Sequence, residues 1–293
     1  MSTGELAALG TAACWTVTVL AFEAAGRRVG SLPVNFLRLL LGLLFLTTWT
    51  TLSSGRPLPI DAPLRNWLWM GLSGLVGFVL ADLCLFRAFV LIGARATMII
   101  YSLVPPMSAL ASGLLLGEVL PGRVWLAMSV SIAGICMVIL VRGGGRVTLA
   151  HPVRGILLAL AGALGQALGL VISKHGMGGL GMFAATQIRI LAAAAAFLAL
   201  IPLLRQTGRI RAALGDRKAL RIVTLGSFFG PFLGVSLSLA AVRGLNVGVA
   251  ATIMSMVPVF ILLPETVLLH RRVRAPEIAG AVVAVCGIAL LTI

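Results

Sequence analysis

The 293-residue sequence predicts an all-α integral membrane protein of ten transmembrane helices, arranged as two inverted five-helix repeats. Three observations carry this: an extreme apolar composition, ten runs of membrane-crossing length, and a proline-broken segment that occurs twice. Hydrophobic residues make up 60% of the chain and charged residues 11%, with a mean hydropathy of +1.11. Such values belong to membrane proteins. Apolar runs fall near residues 5–25, 34–52, 67–91, 96–116, 124–141, 155–173, 183–204, 222–242, 247–269 and 277–293. Each is close to the twenty or so residues that a helix needs to cross about 30 Å of hydrocarbon. Ten spans and short loops consume nearly the whole chain, which leaves no room for a soluble catalytic domain. The start carries Glu5 and no basic cluster, unlike a cleaved leader, so the first span is expected to be retained.

The twice-written segment runs from Ile92 to Glu118 and contains Val104-Pro105-Pro106 inside its apolar run. Proline inside a helix removes a backbone donor, and in lipid the freed carbonyl must find a partner within the protein. A shift of 153 residues sets Val104-Pro105 on Val257-Pro258, Ser102 on Ser255, Gly77 on Gly230 and Gly134 on Gly287. Nearer the start of each unit the shift is 151, which places Arg38 on Arg189, Trp15 on Gln166 and Glu23 on Lys174. The units are expected at residues 1–146 and 147–293, together forming one transmembrane domain. Five spans per unit is an odd number, so the second copy enters the membrane from the opposite side. Inverted repeats of this kind build many secondary transporters, with the substrate near the midplane between the halves. Pro105 and Pro258 are candidate hinges for alternating access.

Several other classes are excluded by position. The net charge of +15 suggests nucleic acid until the basic residues are located, and they sit in short loops as topology signals. Cys14, Cys84, Cys136 and Cys286 lie within spans and read as small packing residues. His151, His175 and His270 form no metal spacing, and Gly143-Gly144-Gly145 lacks the Gly-Lys-Ser/Thr ending of a nucleotide loop. No cofactor, metal or hydrolytic triad is expected, and the protein is not expected to be an enzyme.

Trp15 with a charged residue eight positions on, Arg38 opening the second span, Gly93-Ala94-Arg95-Ala96, Val104-Pro105, Gly117-Glu118 and Gly134 form an ordered set. Together they resemble the EamA-type transporters of the drug/metabolite transporter superfamily, over the whole chain. The resemblance implies ten helices in two inverted units, with the first, third, fourth, sixth, eighth and ninth lining a central cavity. It also implies export or uptake of small polar metabolites, often amino acids, driven by ion or solute gradients. The chain departs from the pattern at Glu23, where lysine is usual, at Gln166 in place of a second aromatic, and at His270-Arg271 in place of a second Gly-Glu.

Charges within spans mark the candidate site, because each is costly at the bilayer centre. Asp82 lies mid-span and is expected to face the interior, towards Arg38 or Arg87, as a coupling residue or a buried pair. Glu23 and Arg38 lie towards the same face and are expected to pair across the first hairpin. Lys174 and Arg189 occupy the equivalent level near the other face, with no acid near in sequence, and are therefore available to an anionic group or to lipid phosphates. Trp15, Tyr101, Gln166, Thr252 and Ser255 are candidate stacking and hydrogen-bonding groups for a small ligand.

The expected function is secondary transport of small polar metabolites, the export of amino acids or related compounds, in a bacterial inner membrane. Arginine supplies nearly all basic residues, with Lys174 and Lys218 the two lysines, as in GC-rich bacterial genomes. The alternatives are a lipid or drug exporter and a non-transporting sensor or assembly protein. Partners are a small-molecule substrate, the bilayer, and protons or a counter-solute. The face away from the termini carries most loop arginines, among them Arg27, Arg28, Arg146, Arg209, Arg211 and Arg272. The positive-inside rule puts that face in the cytoplasm and both termini outside. The resemblance implies the reverse, and the charge bias sets the expectation of outward-facing termini.

Overall fold

The computed structural model describes residues 1–142, 152–268 and 273–292. The expected unit boundary, residues 143–145, Arg146, His151, His270, Arg271 and Arg272 lie outside them. Among the described residues, nine helices are long and apolar enough to cross a membrane. They are span 1 (Thr3–Val29), span 2 (Ser31–Ser54), span 3 (Leu64–Gly93), span 4 (Ala96–Leu116), span 5 (Gly122–Val141), span 6 (Val153–Met177), span 7 (Met182–Leu203), span 8 (Arg217–Gly244) and span 9 (Val247–Pro264). A tenth apolar helix, span 10, covers Ala275–Thr292. No strand occurs among the described residues. Glu5 is explained by its helix start: Ser2 and Glu5 cap span 1 reciprocally, each side chain accepting from the other's backbone N–H.

The prolines do not interrupt a regular helix. In span 4 the break falls at Ser102 and Leu103, and Pro105 is the second residue of the new segment Val104–Leu116. At that position a missing N–H costs nothing, because a first-turn donor has no intrahelical acceptor. Span 9 repeats the device: helix ends at Met254, and Pro258 is the second residue of Val257–Phe260. The serines at the two breaks behave identically. Ser102 Oγ donates to Ile99 O at 2.6 Å and Ser255 Oγ to Thr252 O at 2.7 Å.

The halves interlock along matched positions. Span 1 packs on span 8 and span 6 on span 3. In the first crossing Thr18 Oγ1 donates to Gly226 O at 3.4 Å; in the second Ser73 Oγ donates to Gly169 O at 2.7 Å. Those four residues are related by the 151 and 153 shifts, so the repeat read from sequence is also the symmetry of the packing. Spans 5 and 10 meet at glycines in the same reciprocal way. A Cβ on Gly134 would lie 2.3 Å from Ala284 N, and one on Gly287 2.3 Å from Ser131 Oγ. Small residues are what allow two membrane helices to approach this closely.

Spans 3 and 8 carry a further shared irregularity. Each loosens into a π-helical segment, Leu75–Leu80 in one and Phe228–Gly234 in the other, and the two begin 153 residues apart. Such segments are rare and cluster at functional sites, since they re-aim side chains and leave the carbonyl ladder irregular.

Candidate functional site

Asp82 follows the π segment of span 3 and is buried at 8% exposure. Arg38 Nη2 donates to its Oδ2, and the two form a salt bridge. Asn35, one turn before Arg38 on span 2, accepts from Arg38 Nε at 2.6 Å and fixes the guanidinium. Gln166 reaches in from span 6, donating to Asp82 Oδ1 at 3.1 Å and to Gly77 O at 2.9 Å. The network thus takes an acid, a cation and an amide from one half and an amide from the other. Tyr101 packs against Val104, Ala163 and Ala167, beside Gln166 on span 6. Arg87 is exposed, so of the two expected partners it is Arg38 that Asp82 takes.

Two expectations are corrected. Glu23 does not meet Arg38. It is 54% exposed and pairs with Arg27 one turn along its own helix, because its direction around span 1 turns it outward, away from Arg38. Lys174 is not left to an anionic ligand either. Its Nζ lies 2.5 Å from Glu118 Oε1 and donates to Leu245 O at 2.6 Å, while Glu118 Oε2 accepts from Val247 N at 2.9 Å. Gly117, at φ +70, is what turns Glu118 back from the end of span 4 onto the start of span 9. This clasp ties the ends of spans 4, 6, 8 and 9 together on the face of the termini.

Arg189 is 3% exposed, and its guanidinium carbon lies 4.7 Å from the centre of the Phe78 ring. No acid is paired with it among the described residues. Trp15 lies against Gly234, where a Cβ would come within 2.7 Å of its ring. Thr252 is fully buried and donates to Gly248 O at 2.7 Å; with Ser255 it spends its hydroxyl on its own helix. Asn35 and Glu118 belong to the site and were not among the sequence candidates. Asn35 was legible from its i,i+3 spacing to Arg38, and Glu118 from ending its span at the same face as Lys174. Away from the core, Asp216 caps span 8 through Lys218 N and Ala219 N and holds Arg28 at 3.0 Å. The Ala219 N–H first, and then Arg28, keep its carboxyl below the usual range.

A duplicated bundle of long apolar helices enclosing an ion pair defines a multi-pass membrane protein. The family model described as the EamA-like transporter family matches residues 2–140 and again 153–293, and the chain belongs to that family. It is therefore a membrane transporter, as the resemblance implied. Among solved structures, 29 chains are similar. One, titled only as a crystal structure of a protein, matches with a TM-score of 0.78 at 21% identity, over 100% of this chain and 97% of its own. That likeness is one of fold. No curated protein matches.

Proposed function

We propose that the protein exports small polar metabolites, amino acids or close relatives, across a bacterial inner membrane by alternating access. The observation that carries this is the Asp82–Arg38 pair joined by Gln166 to the other half. A buried pair is a poor device for stability alone, because desolvation offsets most of its attraction. It is a good device for coupling, since an acid that shares a cation and an amide across two moving halves loses one of them when the halves part. Asp82 then takes a proton or a cationic group of the solute, and returns to Arg38 as the site closes. The clasp of Glu118 and Lys174 serves as the closed gate on the face of the termini. The breaks before Pro105 and Pro258 give spans 4 and 9 a place to bend.

The test is transport in reconstituted vesicles. Asp82→Asn is expected to abolish proton-driven accumulation while preserving solute exchange if the acid serves coupling, and to abolish both if it holds solute. Proton-driven transport at the wild-type rate by folded Asp82→Asn protein excludes both roles. Replacing Pro105 and Pro258 together by alanine is expected to slow transport with expression intact. By the charge bias, with Arg209 and Arg211 on the short helix Thr207–Gly215, the face away from the termini is cytoplasmic. A C-terminal reporter active only in the cytoplasm is expected to stay silent.

A further inference from the structure

Arg189 is a cation the fold buries without supplying an anion. Among the described residues, no acid, hydroxyl or carbonyl bonds its guanidinium, and its Nε is buried with no partner. An ionised side chain taken out of water is retained at such a place only when something compensates it. What compensates it here is partial: the face of Phe78 lies under the guanidinium, 4.7 Å away. A ring face engages the flat of the group and leaves its donor edges unspent.

The repeat explains how the anion came to be missing. Arg38 and Arg189 are equivalent by the 151 shift, and the acid that serves Arg38 is Asp82. The 153 shift puts Val235 at the position of Asp82 in the second half, buried at 7% exposure. The duplicated cation therefore stands without its duplicated acid. The neighbouring position on span 3 is Gly77, where even a Cβ would lie 3.4 Å from Arg189 Nη2. Asp82, four residues beyond Phe78 and hence one helical turn away, is already held by Arg38 and Gln166. An anion beside Arg189 thus does not compete with a free carboxylate.

We infer that Arg189 takes the carboxylate of the transported solute, bound edge-on by the guanidinium fork. Arginine, unlike lysine, matches a carboxylate with two parallel N–H donors. This rests on the transport reading for the word transported, and names the chemistry that reading leaves open. It also orients the solute: carboxylate towards Phe78 and Arg189, any ammonium group towards Asp82 one turn away.

The test uses the purified full-length protein in detergent, melted in the presence of each of the twenty L-amino acids and of their C-terminal carboxamides. At least one free acid is expected to raise the melting midpoint of the wild type, and its carboxamide to leave it unchanged. Arg189→Gln is expected to weaken that acid roughly ten- to a hundredfold, the loss of a charge-assisted hydrogen bond. Arg189→Lys, which keeps the charge without the fork, is expected to recover part of the affinity and carries the test if the glutamine variant does not fold. The inference is overturned if no acid shifts the wild type, if acid and carboxamide act alike, or if Arg189→Gln responds as the wild type does. Counterflow in vesicles separates the two readings. Wild-type exchange undiminished in Arg189→Gln removes this inference and keeps transport; selective acid binding without any exchange does the opposite.

Discussion

Arg38 and Arg189 stand at the same place in the two halves, yet one meets an acid and the other an aromatic ring. Around them the backbone frame is duplicated closely. The hydroxyl-to-glycine crossings, the helix breaks and the glycine contacts of spans 5 and 10 all recur in register. The acids do not recur: Asp82 answers to Val235, Glu23 to Lys174, and Asp216 to Pro63. Packing fixes the frame, because a Cβ at Gly134 or Gly287 has nowhere to go. Polar groups obey a looser rule, since each needs only one partner and the partner can be replaced by another half, a ring or a ligand.

The comparison breaks most visibly at Asp82. Asp82→Ala leaves the half-buried Arg38 without its acid and strands the amide of Gln166, and is expected to cost about 2–4 kcal/mol, read as a large fall in melting midpoint. The matched change Val235→Ala removes only apolar volume and is expected to cost about 1–3 kcal/mol. Where the symmetry holds, costs should agree: Gly134→Val and Gly287→Val each force spans 5 and 10 apart, at about 1–3 kcal/mol apiece. A twofold difference between those two would show that the reciprocal packing is unequal in energy. At the helix ends the halves diverge again. Lys174→Gln opens the clasp with Glu118, whose side chains are 24% and 12% exposed, and is expected to cost about 1–2 kcal/mol. Glu23→Gln, at the mirrored position but paired only with exposed Arg27, should cost less than about 0.5 kcal/mol.

The smallest effect is expected at Asp216. Its carboxyl titrates below the usual range in the folded protein, so the stability it contributes is present at neutral pH and is lost as pH falls through that depressed value. Asp216→Asn is expected to remove a shallow loss in thermal melts that sets in below about pH 5 and to leave the rest of the profile intact. Span 3, which starts after Pro63 without a side-chain cap, has no such contribution to lose.

Depth and period were legible in the sequence; direction around each helix was not. The spans, the inverted repeat and the buried place of Asp82 follow from run length, parity and the cost of charge in lipid. Glu23 and Arg38 read as partners because they flank one hairpin, but Glu23 turns outward to Arg27 and Arg38 turns inward to Asp82. Lys174 read as free because its acid, Glu118, is far along the chain. Only the third dimension brings span 4 back to span 6. The π segments were invisible for a different reason: a one-residue change in hydrogen-bond register leaves an apolar run looking like any other.

Those π segments also separate frame from chemistry. A π turn takes in one residue more than the regular helix does. Leu75–Leu80 and Phe228–Gly234 begin at equivalent residues, although little else in their sequences agrees. Matched in place across the repeat, the extra residue belongs to the five-span frame that both halves share. The irregular turn just ahead of Asp82 has its counterpart just ahead of Val235, so the acid is not what makes it.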